Sequence, residues 1–201
     1  MTPSDRLVAP AEPYRLEVLA VDVRDAVRHA GGLICDKAMS GWRVEVIVAD
    51  WADPSALRIL GARQLLLDEA NACRRGQPAD ALVVCASLVR DDERTRCRFD
   101  RAHRTGRSET ATWIPDAEDG CDVYPTTHVV YHHLSGAASA FKTQAGLALG
   151  LATAPHATET FLSPGDTPFT RLLLLTTDPE PPFDGTAGTR DGSILSLSHR
   201  P

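Results

Sequence analysis

Residues 43–87 hold the passage that decides the fold. An apolar strand candidate, Arg43-Val44-Glu45-Val46-Ile47-Val48-Ala49-Asp50, leads into the turn Asp53-Pro54. The run Ala56-Leu57-Arg58-Ile59-Leu60-Gly61-Ala62 follows, and then a second apolar stretch from Ala81 to Ala86. The first strand is almost continuously apolar on its second half, the look of a strand covered on both faces, as in a parallel sheet. Asp-Pro is turn chemistry, and Gly61 is suited to close the short helix predicted over Ala56 to Leu60. The passage reads as half of a parallel α/β domain, a three-layer sandwich with a mostly parallel sheet.

Outward from it, apolar residues recur at helical spacing from Tyr14 to Met39, interrupted by Gly31-Gly32. Each glycine costs about 1 kcal/mol relative to alanine inside a helix, so either two shorter helices or one helix packed tightly at that point is expected. Downstream, Gln64 to Leu67 begins a short strand or a helix, Asp68 to Arg75 reads as a helix, and Ala81 to Leu88 as a strand. Further strands are predicted at Thr110 to Ile114 and in the β-rich run Thr127 to Leu134. Ser135 is a natural N-cap for a helix running to about Thr153, and Arg171 to Thr176 reads as a last buried strand. Residues 1–13, with three prolines, are expected to be a flexible N-terminus, 14–177 one domain, and 178–201 a disordered tail that lacks the means to bury a core.

Composition narrows the function. The 201 residues suffice for one core without disulfides, and 43% hydrophobic with 24% charged residues is ordinary for a globular protein. A formal charge of −6 argues against binding nucleic acid over the whole surface, though it leaves local contacts open. No apolar run approaches the ~18 residues of a membrane span and the N-terminus lacks a signal-peptide pattern, so a cytoplasmic protein is expected. The five cysteines are scattered with no Cys-x-x-Cys pair, which suggests neither a disulfide framework nor a zinc site. There are only two lysines, Lys37 after Asp36 and Lys142 after Phe141. Neither stands in a Gly-Lys-[Ser/Thr] context, so a P-loop is excluded. No cofactor is implied.

Three groups of residues invite a functional reading. In the segment 90–107 seven arginines stand against Asp91, Asp92, Glu93 and Asp100. If it is extended, Arg94, Arg96 and Arg98 share a face, and with Arg101 and Arg104 they form an interaction surface for phosphates or acidic partners. If it is helical, the arginines spread around the cylinder. Asp50 ends a strand at the place where open α/β sheets put functional carboxylates, and Asp53 follows, although an acid before proline also serves as a turn and cap device. His128 and His132 are four apart, with His133 adjacent. On a helix that spacing would suit a metal, but the glutamate of a zincin and a third ligand are missing, so no metal is assigned.

The order strand, Asp-Pro turn, helix ending in Leu-Gly, second strand is similar to the central part of the RecA-type recombinase core, carried here by Asp50, Asp53, Pro54, Arg58, Leu60 and Gly61. The resemblance implies a RecA-like core without Walker A, and it looks like the actinobacterial accessory proteins of the damage-induced mutagenesis machinery. It implies a non-catalytic protein of DNA damage tolerance with a polymerase-like or clamp-like protein partner, no catalytic residues, possible nucleic-acid contact and no membrane. The competing expectation is an α/β enzyme using Asp50, Asp53 and the His128–His133 cluster.

Overall fold

A computed structural model describes residues 12–68, 70, 78–115, 127–151, 157–165 and 175–177. Seven strands form one sheet: β1 (Arg15–Leu19), β2 (Arg43–Val48), β3 (Arg63–Leu66), β4 (Ala81–Cys85), β5 (Glu109–Trp113), β6 (Thr127–His133) and β7 (Thr158–Pro164). Their order is β3-β2-β1-β4-β5-β7-β6. The first five are parallel, while β7 runs antiparallel to both β5 and β6.

Helices cover both faces. Helix α1 (Val23–Met39), α2 (Ser55–Ile59) and α5 (Gly136–Ala148) lie on one, where Leu16, Val18, Val83, Ala111 and Trp113 meet Val27, Leu57 and Ala145 in a single cluster. On the other face α3 (Ala86–Asp91) and α4 (Glu93–Thr105) pack Val89 and Phe99 on Leu19, Ile47, Leu82 and Val84. The alternation along β1 follows the pleat of a strand. Among the described residues no helix is long and apolar enough to cross a membrane.

Several expectations are corrected. Tyr14 to Met39 is not helical throughout: β1 occupies its start and Asp22 caps α1, its side chain accepting from the Asp25 amide at 2.7 Å. At the glycine pair the second of the two expected outcomes holds: α1 is one helix and passes close to its neighbours there, since a Cβ on Gly32 would lie 2.3 Å from Leu134 Cγ. The strand predicted to Leu88 stops at Cys85, and Ala86 starts α3. Strand β7 was not anticipated. Helix α5 starts at the expected cap, Ser135, which accepts from the Ala138 amide, and ends at Ala148. Of the predicted last strand only Leu175 and Thr176 are described, with Thr176 bridged to Tyr131. Residues 1–11 and 178–201, which carry most of the predicted flexible N-terminus and all of the predicted tail, lie outside the described residues.

The arginine segment is helical and forms α4, capped by Asp92, which accepts from the Arg94 and Thr95 amides. Its arginines therefore do not make one stripe. Arg94, Arg96, Arg101 and Arg104 are exposed, while Arg98 turns inward to the buried carboxylate of Glu17 on β1, which also accepts from Arg15 at 2.6 Å. Burial foremost, and then the nearby Arg101 and Arg15 charges, lower the Arg98 pKa to about 10. Arg98 is thus a structural ion-pair partner and no part of an exposed surface.

Candidate functional site

The carboxyl ends of β1, β2, β4 and β5 share one edge, because those strands are parallel. The chain leaves β1 toward α1 on one face and β4 toward α3 and α4 on the other, so a topological switch point lies between β1 and β4. Open α/β sheets bind ligands at such a point. The residues that meet there are Val21 and Asp22 after β1, Asp25 and His29 on α1, Cys85 ending β4 with Ser87 just beyond, and Trp113 ending β5.

Asp25 organises them. One carboxylate oxygen accepts from Trp113 Nε1 at 3.1 Å and faces His29 Nε2 at 3.8 Å. The other accepts from the Val21 amide at 3.1 Å. The His29 ring stacks on the buried Trp113 indole, with centroids 6.4 Å apart and planes 13° from parallel. Asp25 and His29 are one helical turn apart and so share a face of α1. The separation of 3.8 Å is longer than a hydrogen bond, and such contacts tighten in a substrate complex. Cys85 Sγ lies 3.1 Å from Ser87 Oγ, and burial pushes its thiol up to about 11. It is a neutral thiol at physiological pH and a poor nucleophile.

The residues singled out from sequence are divided by the structure. Asp50 is exposed beyond β2, at the same edge as Asp25. Asp53 accepts from the Ser55 amide at 3.0 Å and its hydroxyl at 2.7 Å, the turn device that opens α2. His132 bonds to Asp36 on α1 at 3.0 Å, while His128, on β6, has a buried Nε2 with no described partner. No described hydrogen bond or ion pair joins either aspartate to either histidine. His132 is the register partner of Glu159 on β7, and the buried Glu159 accepts from Lys142 Nζ at 2.6 Å and from the amides of Gly32 and Leu33.

Burial would raise the Asp36 carboxyl pKa, but hydrogen bonds from His132 and Ser135 outweigh it, and the net is a pKa below the ordinary value. A carboxylate depressed in the folded state adds stability above its unfolded pKa of about 4 and loses it as pH falls through the folded value. Asp36→Asn is therefore expected to flatten the acid limb of the stability curve below about pH 4, measured by urea denaturation across pH against the parent. An unchanged acid limb would show that the Asp36 pair contributes nothing to it.

No family model matches the chain, and no curated protein matches it in sequence. Solved structures do share its fold. The deacetylase of the A40926 pseudoaglycone, an antimicrobial, is similar over 76% of this chain and 97% of its own, with TM-score 0.54 and 12% identity. A triple mutant of the deacetylase of teicoplanin biosynthesis is similar over 76% and 100%, with TM-score 0.54 and 16% identity. The zinc-inhibited form of teicoplanin deacetylase follows at TM-score 0.52 and 13% identity over the same shares, 76% and 100%.

At these identities the likeness is one of fold. It corrects the RecA-like core and, with it, the accessory role in DNA damage tolerance. The strand, Asp-Pro turn and helix that suggested RecA are a local βα unit: Asp53 serves the turn, and Gly61, at φ +77°, closes α2. Among the described residues no three His, Cys, Asp or Glu side chains are placed to hold a metal ion.

Proposed function

We propose that the protein is an α/β enzyme that hydrolyses an N-acyl bond of a polar substrate at the carboxyl edge of β1, β4 and β5. The observation that carries this is the Asp25–His29 pair, one helical turn apart at the switch point and braced by Trp113. The deacetylase character of proteins with the same fold supports the choice of bond. This is the enzyme alternative with its centre moved from Asp50, Asp53 and the histidines of β6 to α1.

His29 serves as the proton-transfer group. It takes a proton from the water that adds to the acyl carbonyl and returns it to the leaving nitrogen as the C–N bond breaks, giving a carboxylic acid and an amine. Asp25 orients the imidazole and stabilises its charged form, and Trp113 holds Asp25 in place. The raised Cys85 thiol pKa argues against a covalent thioester route.

The test is release of free amine from a panel of N-acylated amino sugars and amino acids. His29→Ala is expected to lower the rate by 10²–10⁴-fold, about the usual contribution of one general acid–base group, with Asp25→Asn impaired in the same direction. No turnover by the parent on any member, or equal turnover by His29→Ala, would overturn the assignment.

A further inference from the structure

We infer that the solvent face of α5 is the interface of a homodimer, in which the α5 helices of two copies pack antiparallel about a twofold axis at Gln144. From Ala137 to Ala148 the exposed residues of this helix are Ala137, Ala140, Phe141, Gln144, Leu147 and Ala148. They fall at the i, i+3, i+4, i+7 intervals of a single helix face. Phe141 is 45% and Leu147 60% exposed. The one charged side chain of α5, Lys142, turns inward to Glu159. The other two long helices instead put arginines into solvent, Arg24 and Arg28 on α1 and four of those on α4. A helix that is apolar all round is one that is covered, and α1 and α2 cover only the inner side of α5.

Charge and spacing select a second copy as the cover. The chain carries a formal charge of −6, so two copies repel one another, and a face without charge is where they approach with least repulsion. The same face offers nothing to steer a charged partner, and it lacks the lysines and arginines with which an amphipathic helix lies on a lipid surface. Its pattern is also self-complementary. Phe141 and Leu147 stand three residues either side of Gln144, and Ala140 and Ala148 four either side. A twofold axis at Gln144 therefore sets Phe141 level with Leu147 of the partner subunit, and Ala140 level with Ala148 of the partner subunit. The large pair fills the layer, and the alanines let the helix axes approach to about 8–10 Å. Gln144, which carries both donors and an acceptor, pairs with its own copy across the axis. Helix α5 has 13 residues, a length of about 20 Å. An interface of one such helix from each copy is smaller than the roughly 1,200 Å² of a stable complex, so a dissociation constant in the micromolar range is expected.

Sedimentation equilibrium of the full chain across the micromolar range is the test, and the parent is expected to dimerise as its concentration rises. Gln144→Glu and Gln144→Lys each set like charges against one another at the axis, and each should weaken the dimer by roughly tenfold or more. An equimolar mixture of the two variants should dimerise again, because opposite charges then meet. Position 144 is exposed, so both variants should unfold at nearly the temperature of the parent, which circular dichroism checks. A parent that stays monomeric at every concentration overturns the interface, whether another part of the chain covers the stripe or lipid does, as cosedimentation with phosphatidylcholine vesicles would show. A dimer that neither substitution weakens lies elsewhere and overturns it as well. Weakening by both variants with no recovery in the mixture overturns the pairing about Gln144.

Discussion

Replacing Lys142 by methionine is expected to destabilise the protein by about 3–5 kcal/mol, because it strands a buried carboxylate. Glu159 is 4% exposed, and one of its oxygens accepts from both Lys142 Nζ, at 2.6 Å, and the Gly32 amide, at 2.7 Å; the other accepts from the Leu33 amide at 2.9 Å. The two amides lie in the interior of α1, so the carboxylate tethers β7 to that helix while Lys142 tethers it to α5. Methionine keeps the length of the lysine stem and removes only the charge and its donors. A buried ion pair replaced as a whole by apolar side chains is often neutral, so Lys142→Met/Glu159→Leu should cost less than the sum of the single changes, a coupling that a double-mutant cycle by urea denaturation measures. A loss below about 1 kcal/mol for Lys142→Met would place this pair with exposed ion pairs, whose contribution is small.

The same cluster explains where the sequence stops being legible. Strands β2 and β4 announce themselves because every residue of their apolar runs is covered by helices. Strand β7 hides because its buried positions include Glu159 and Ser163 beside Phe161, and a buried glutamate makes sense only once Lys142 and α1 are beside it. Strand β1 hides for another reason. Leu16, Leu19 and Val23 happen to fall at helical intervals across a strand, a loop and a helix, and the periodicity outweighs the one local sign of a boundary, Asp22 capping toward Asp25.

The candidate site was half visible. Asp25 and His29 stand four apart in a helical stretch, a spacing that puts a carboxylate beside an imidazole. What gives the pair meaning is Trp113, which is 88 residues from Asp25 in sequence and is brought there by the order β1-β4-β5. The residues that drew attention instead, Asp53 and His132, were conspicuous by type, and their partners, Ser55 and Asp36, are ordinary structural ones. The arginines of α4 were conspicuous by number, and only the buried Glu17 explains Arg98.

Two glycines should respond in opposite directions to the same change. At Gly32 an added Cβ would lie 2.3, 2.6 and 2.8 Å from Leu134 Cγ, Cδ2 and Cδ1. Cγ is the branch point of that side chain, so turning its methyls about χ2 cannot clear it, and either Leu134 changes its χ1 rotamer within the packed core or α1 moves away from the corner between β6 and α5. Overpacking of this kind costs about 1–3 kcal/mol and works against the gain of roughly 1 kcal/mol that alanine brings to a helix interior. The clash is expected to win, leaving Gly32→Ala less stable than the parent, because movement of α1 there also stretches the Glu159 bonds to the Gly32 and Leu33 amides. At Gly146 in α5 the nearest atom to an added Cβ is Leu151 Cβ at 3.7 Å, an ordinary contact. Gly146→Ala should therefore stabilise the protein by about 0.5–1 kcal/mol through the helix alone. Leu134→Ala in the Gly32→Ala background removes the obstructing branch and should return part of the loss. Thermal unfolding of the four proteins decides the matter: a stabilised Gly32→Ala would mean that α1 and Leu134 do not approach as closely as the packing around Glu159 requires.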